Sequence, residues 1–217
     1  MAEWLKAAVL KTAIPATVSW VRIPLSPPYK NVSSRCILIK MIDLIIKLLS
    51  FLVIVSQIGI VFYLIFFILK LNFIRKLNIL ISKNALFLSF VIAFIATLGS
   101  LFLSNVAGFF PCELCWFQRI MIYPQVLLFG LALWRKDNKM LLYGLPFSLL
   151  GMFLSGYHYL IQFQILPAAT TCSFINGATS CAHIAVLEFG YITIPLMAFT
   201  AFLLLFLIQA IGVKTKT

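Results

Sequence analysis

Two cysteine pairs are the residues whose types and spacing could do chemistry in this chain. The first is the Cys-x-x-Cys formed by Cys112 and Cys115, and the second is Cys172 with Cys181. In a Cys-x-x-Cys the two sulfurs are close enough to bridge or to exchange. Thiol–disulfide exchange passes two electrons from one pair to another. Two such pairs therefore predict electron movement between thiols and an acceptor.

The residues around the first pair favour its reactive form. Cys115 stands at the beginning of an apolar run that we predict to be a helix, where the helix dipole and free backbone N–H groups favour thiolate. Arg119 lies four residues later on the same helix face and adds fixed positive charge. Because thiolate is the attacking species in exchange, this arrangement predicts a reactive pair.

A structural disulfide and half a zinc site are the other interpretations of Cys112 and Cys115. Zinc needs four ligands at one point. The second pair has wide spacing and no obvious helper except His183. We therefore predict no metal site.

Four polar side chains in or directly beside the apolar runs are further candidates. Arg119 on its own could be an interfacial snorkelling residue, but an ionisable group at that depth favours a site. His158, between two tyrosines, is either a polar member of an interfacial aromatic belt or part of the site. Arg119 and His158 are therefore candidate members of the site. Gln118 and Gln162 could donate to a carbonyl, without a strong reason to choose them.

The composition excludes a soluble globule. Hydrophobic residues make up 63% of the chain and charged residues 10%, with a mean hydropathy of +1.10, whereas soluble domains are about half apolar and a quarter charged. The net charge of +12 does not indicate nucleic-acid binding. The basic residues stand at the ends of apolar runs and form no patch with interleaved aromatics.

Five apolar runs each approach the ~20 residues that a spanning helix needs. Barrel strands would be half as long and would alternate, so the runs predict helices. The predicted fold is an all-α membrane protein: a four-helix transmembrane bundle with one additional N-terminal transmembrane helix. The runs are about Leu44–Leu69, Ala85–Leu103, Trp116–Trp134, Leu141–Ile161 and Tyr191–Ile211.

The distribution of basic residues sets the orientation. By the positive-inside rule, the segments rich in lysine and arginine are cytoplasmic. Segments 104–115 and 162–190 contain neither residue, so they face outward with both cysteine pairs. The outside is an oxidising compartment, where disulfides persist. The cytoplasmic markers are Lys70, Arg75, Lys76 and Lys83, then Arg135, Lys136 and Lys139, and finally Lys214 and Lys216.

The first forty residues break this pattern. They carry basic residues on the side that should be outside, several prolines, and no continuous apolar core of a secretory signal. We hypothesise that Met41 is the true start and that residues 1–40 are an extension absent from the mature protein. The predicted organisation is then this extension, an extra transmembrane helix over 41–70, and a four-helix domain over 85–212 with two outward cysteine-containing loops.

The segment Pro-Cys-Glu-Leu-Cys-Trp-Phe-Gln-Arg-Ile at 111–120 resembles the signature of the DsbB family of disulfide-forming membrane oxidoreductases. Tyr-Pro at 123–124 and Tyr-His-Tyr at 157–159 fit its shorter, BdbC-like members. The resemblance covers about Ala85 to Ile211. It implies a multi-pass protein of the bacterial cytoplasmic (inner) membrane, with its cysteine loops on the periplasmic or extracellular side.

The resemblance also implies a relay. Family members reoxidise a DsbA-like, thioredoxin-fold oxidase and pass the electrons to the membrane quinone pool, ubiquinone or menaquinone. Carried over, Cys172 is the sulfur attacked by the partner, and Cys181 is its mate. Cys112 and Cys115 reoxidise that pair, with Cys115 facing the quinone ring and Arg119 near a quinone oxygen. On this resemblance we predict that Arg119 and His158 bind the quinone cofactor.

The chain departs from the family pattern in two ways. Cys172 and Cys181 are only nine positions apart, closer than in the best-known proteobacterial members, so the order of exchange within the loop stays open. The helix before Ala85 is extra to the four-helix core, and the pattern gives it no role.

Three alternatives come from other classes. A vitamin K epoxide reductase-like enzyme also combines two cysteine pairs with a quinone, but there the Cys-x-x-Cys follows the loop pair, whereas here it comes first. A non-enzymatic membrane scaffold would carry two structural disulfides, which sit at lower potential than relay disulfides. A transporter is disfavoured because no repeat or cluster of buried charges is present.

Overall fold

The computed structural model describes residues 32–69, 72–165 and 181–214. Each of its five helices is long and apolar enough to cross a membrane, which confirms the predicted all-α membrane fold. The chain divides into two compact units, Met1–Lys40 and Met41–Thr217. Residues 1–31 lie outside the described residues, and the start at Met41 stays a prediction. The helices are α1 Val32–Ile68, α2 Asn72–Asn105, α3 Glu113–Arg135, α4 Met140–Gln162 and α5 Ile194–Lys214.

Helix α2 begins thirteen residues before the predicted Ala85, at Asn72. The segment before Ala85 contains no proline or glycine, so nothing in it breaks the helix. Its basic residues therefore lie on a helical extension rather than in a connecting segment. These residues are Arg75, Lys76 and Lys83.

Helix α5 begins at Ile194, later than the predicted Tyr191. A tight turn precedes it, in which Glu188 and Ile192 exchange two backbone hydrogen bonds of 2.9 Å. Gly190, with a φ of 79°, supplies the left-handed conformation that this turn needs. The turn thus fixes where the chain re-enters the bundle.

Helices α2 to α5 form the predicted four-helix bundle, in which α4 packs on α5, α5 on α2, α2 on α3, and α3 on α4. Glycines on α4 allow the close approach. A Cβ at Gly151 would overlap the ring of Phe202, and one at Gly144 would meet the ring of Phe129. Both rings are almost fully buried. Small residues at helix interfaces commonly serve this purpose in membranes.

A buried amide cluster also joins three helices of the bundle. The hydroxyl of Ser148 on α4 lies 3.0 Å from Oε1 of Gln125 and 3.1 Å from Oε1 of Gln209. The Gln209 amide donates to Gln125 Oε1 at 3.2 Å. Interhelical hydrogen bonds of this kind stabilise helix association in an apolar surrounding.

Helix α1 stands further off, alongside α2 and α5. At the end of the bundle that carries the cysteines, Ile46 packs with Leu103 and Val186. Further along, the hydroxyl of Tyr191 donates to Gln57 Oε1 at 3.1 Å, and the Gln57 amide donates to Thr200 Oγ1 at 3.5 Å. These contacts hold α1 beside the bundle.

Candidate redox site

The first cysteine pair is positioned by the start of α3. Cys112 is the N-cap residue, in an extended conformation with φ −74° and ψ 174°. Its carbonyl accepts a hydrogen bond from the Trp116 N–H at 3.2 Å, which closes the first helical turn. Cys115 therefore stands in that turn, as predicted. The two sulfurs lie 3.4 Å apart, longer than the ~2.05 Å of a disulfide, so the structure shows the dithiol form.

The two thiols differ in their protonation. Cys112 Sγ donates its hydrogen to Cys115 Sγ. This hydrogen bond, together with burial, raises the pKa of the Cys112 thiol to about 12, against an opposing contribution from His158. The proton therefore stays on Cys112, and the hydrogen bond stabilises negative charge on the Cys115 sulfur. In the dithiol form Cys115 is the sulfur prepared to attack.

Alkylation of the reduced protein tests this assignment. Because the raised pKa keeps Cys112 protonated at pH 8, Cys112 should react slowly, and its alkylation rate should rise steadily as the pH is raised through the alkaline range. Cys115→Ala removes the acceptor and lowers the Cys112 pKa, so it should speed alkylation of Cys112 by about tenfold or more. Mass spectrometry of the labelled peptide gives the rate. An unchanged rate in Cys115→Ala would refute the hydrogen-bond explanation.

His158 lies at the cysteine pair and is only 2% exposed. Its Nε2 is 3.6 Å from Cys112 Sγ and 3.2 Å from the carbonyl oxygen of Cys181. Its Nδ1 is 3.1 Å from Nε2 of Gln118. The structure thus places His158 beside the cysteine pair, with contacts to Cys112, Cys181 and Gln118. Its membership of the site and its role in cofactor binding stay predictions.

Cys181 is brought to the first pair, whereas Cys172 lies outside the described residues. Cys181 is 2% exposed and packs in one buried cluster with Cys112, Leu114 and Ile161. A relay needs a member of the second pair at this place, and Cys181 occupies it.

Three ligand atoms at this place could together hold a metal ion. The two sulfurs and a His158 nitrogen all lie within 4.8 Å of one another. Structural zinc sites use four ligands, and both thiols would have to give up their protons. A metal held there would also block formation of the Cys112–Cys115 bridge. The expectation of no metal stays a prediction.

Arg119 is fixed between α2 and α3. Its Nε donates to Ser100 Oγ at 3.0 Å and its Nη2 to the Ser100 carbonyl at 3.2 Å. Its Cζ lies 5.2 Å from the centroid of the Trp116 ring. A snorkelling side chain would extend along the helix surface toward water instead. Within the part of the chain that the structure describes, Nη1 has no hydrogen-bond partner, so it can bind a further acceptor.

A cavity of about 590 Å³ opens beside the cysteine pair. Its volume is within the range of about 300 to 1,000 Å³ typical of small-molecule sites. The walls from α1, α2 and α5 are mainly apolar, with the hydroxyl groups of Ser56, Ser100 and Thr200 among them. The polar lining includes Cys112, Cys115, Gln118, Arg119 and His158.

Two residues of the site have partners that the sequence did not predict. Gln118, considered from sequence only as a possible donor to a carbonyl, instead lies 3.1 Å from Nδ1 of His158. Its position three residues after Cys115, on the same helix face, is the signal that could have placed it at the site. Ser100, which holds Arg119, carries no such signal. Its role depends on the register between α2 and α3, which a single sequence does not show.

The comparison with known families agrees with this geometry. The sequence profile described as "Disulfide bond formation protein DsbB" matches residues 82–212, more than half of the chain. The chain belongs to the DsbB family. It is therefore a multi-pass bacterial membrane protein with an oxidoreductase role in disulfide bond formation, and the vitamin K epoxide reductase-like alternative is excluded. The family match begins within α2, so α1 lies outside it.

Several curated proteins are similar over this part of the chain. The "Probable disulfide formation protein" of Oceanobacillus iheyensis is 46% identical over 139 residues, which cover 62% of this chain and 92% of that protein. "Disulfide bond formation protein C" of Bacillus subtilis is 40% identical over 126 residues, covering 58% and 90%. The "Probable disulfide formation protein" of Coxiella burnetii is 40% identical over 135 residues, covering 60% and 90%. No solved structure gives a significant match.

Proposed function

We propose that this chain reoxidises a DsbA-like, thioredoxin-fold oxidase outside the cytoplasmic membrane and passes the electrons through its two cysteine pairs to a membrane quinone. One observation carries the proposal: the Cys112–Cys115 dithiol lies between Cys181 and an apolar cavity. The pair thus has a thiol donor on one side and space for an apolar acceptor on the other.

The thiol steps balance as two successive exchanges. A partner thiolate attacks Cys172 of a Cys172–Cys181 bridge, and the partner's second thiol resolves the mixed disulfide, leaving an oxidised partner and two loop thiols. These thiols then reduce the Cys112–Cys115 bridge and become a disulfide again. The Gln118 amide donates to Nδ1 of His158, so Nε2 carries the ring hydrogen and can donate it to the Cys181 carbonyl or to a Cys112 thiolate.

The residues of the cavity fit a quinone. When bound, a quinone accepts two electrons and two protons from the dithiol and so restores the Cys112–Cys115 bridge. Arg119 would bind a ring oxygen through Nη1 while Ser100 holds the rest of its guanidinium in place. The apolar walls exclude water from the Cys115 sulfur. Ubiquinone and menaquinone share the chemistry that these residues recognise.

Arg119→Lys should raise the apparent quinone KM about tenfold. A lysine ammonium lacks the planar guanidinium group, so it cannot keep both contacts to Ser100 and also bind the quinone oxygen. Arg119→Ala should have a larger effect, while transfer from the partner to the loop pair changes little. Steady-state kinetics with varied quinone give the values. Arg135→Lys, at the exposed far end of α3, is the matched control. Unchanged quinone kinetics in Arg119→Ala would show that Arg119 does not bind the quinone and only joins α3 to α2.

Labelling in intact cells should place the cysteine pairs outside, as the distribution of basic residues predicts. After reduction, a membrane-impermeant thiol reagent that reaches the outer surface should label Cys172 without permeabilisation of the cytoplasmic membrane. A cysteine introduced at Asn138, between α3 and α4, should stay unlabelled until that membrane is opened. The reverse pattern would put the pairs in the reducing cytosol, where disulfides do not persist.

The direct test mixes the purified protein with a reduced thioredoxin-like oxidase and a quinone, and counts free thiols. We expect catalytic loss of the partner's thiols only when protein and quinone are both present. Quinol added in place of quinone is the control. A scaffold with two structural disulfides would leave the partner's thiols intact under every condition.

A further inference from the structure

Helix α1 supplies one wall of the cavity, although it lies outside the family match. Its lining residues follow the spacing i, i+3, i+4 and i+7, which places them on a single face of the helix. The opposite face is exposed, as expected for contact with lipid. The lining residues are Leu49, Leu52, Val53 and Ser56.

The cavity exists because α1 is held away from the bundle. Ile46 packs against Leu103 and Val186 on one side of the lining residues, and Gln57 is hydrogen-bonded to Tyr191 and Thr200 on the other. Between these two points α1 comes close to α2 at Gly99, where an added Cβ would lie 3.7 Å from the methyl groups of Leu49. The remaining space between α1, α2 and α5 is left open.

The cavity has a polar and an apolar part. Cys115 and Arg119 mark where a reactive ring must lie, as the proposed function requires. Away from them the walls are Leu, Ile, Val, Ala and Phe side chains, with few hydroxyl groups. A ring oriented toward Cys115 would therefore leave its substituent only this apolar space.

We propose that α1 binds the isoprenoid tail of the quinone and determines which tails the protein accepts. This inference rests on the proposed function for the ring itself. Without α1, the groove between α2 and α5 would open to lipid, and any tail could leave through it. With α1 in place, fixed side chains replace lipid, so the tail must fit the space that Leu49, Leu52 and Val53 leave.

A matched pair of variants tests the proposal on one helix. Val53 is 8% exposed and lines the cavity, whereas Val55 is 52% exposed and does not. Val53→Trp fills the space, and overpacking of this kind should raise the apparent KM for a long-tailed quinone about tenfold. It should change the KM for a tailless ring analogue by less than about twofold. Val55→Trp should leave both values within about twofold.

Ligand-induced stabilisation gives a readout that does not depend on turnover. A long-tailed quinone should raise the thermal unfolding temperature of the parent and of Val55→Trp, and should raise that of Val53→Trp much less. Equal shifts in the two variants, with a parent that uses quinone, would overturn the role of α1 and leave the proposed function standing. A parent that neither uses nor binds quinone would refute the proposed function itself.

Photocrosslinking tests on the unaltered chain whether α1 contacts the quinone tail. It therefore applies even if Val53→Trp does not fold. A quinone with a diazirine on its tail, near the ring, should give adducts on residues 49–56, and excess unlabelled quinone should suppress them. Adducts confined to α2 and α5, with none on α1, would contradict the proposal.

Discussion

Cys115→Ser should stop quinone-dependent oxidation of the partner, with a loss on the order of a thousandfold or more, as expected when a reacting nucleophile is removed. Without this sulfur no Cys112–Cys115 bridge can form, so electrons that reach Cys112 have no route to the acceptor. The rate of partner disulfide formation at saturating quinone measures the effect. A Cys115→Ser variant within tenfold of the parental rate would contradict the relay.

Cys172→Ser should abolish transfer from the partner, by about a hundredfold or more, because exchange needs a sulfur for the partner to attack. The same variant should still oxidise its Cys112–Cys115 pair when quinone is added. The two steps are separated by measuring the partner's thiols in one assay and the thiols of the variant in another. If Cys172→Ser oxidised the partner at the parental rate, the role assigned to Cys172 would be wrong.

Cys172→Ser and Cys115→Ser should stop electron transfer at different steps of the relay. In Cys172→Ser the block precedes the Cys112–Cys115 pair, so quinone alone should bring that pair to the disulfide. In Cys115→Ser the block follows the loop pair, so one partner equivalent could still reduce Cys172 and Cys181 before the relay stops. A single-turnover measurement therefore distinguishes them even though both lose steady-state activity.

The fold was predictable because lipid imposes one dominant constraint. Backbone groups in an apolar medium must be paired within the segment, so long apolar runs become helices. The error at the start of α2 has the same origin: Arg75, Lys76 and Lys83 lower the hydropathy of the segment but do not interrupt its helical backbone. Hydropathy locates the part of a helix that lies in lipid, not the whole helix.

The site was predictable to the extent that it is local in sequence. Cys115 in the first turn of α3 and Arg119 one turn later follow from spacing alone. The contact of Arg119 with Ser100 and the position of His158 against Cys112 depend on how α2, α3 and α4 pack, and one sequence does not contain that information. The lining face of α1 was hidden for another reason. Because that helix is apolar on nearly all sides, periodicity does not distinguish a cavity face from a lipid face.

The central claim is that electrons from the partner's thiols reach a quinone through this protein. Its most direct test is anaerobic, with purified protein in lipid, reduced partner and excess quinone, following quinol absorbance and partner disulfide together. The account predicts one quinol for each partner disulfide, and neither product with Cys115→Ser. Partner disulfide formed without quinol would contradict it, as would quinol formation that persists in Cys115→Ser.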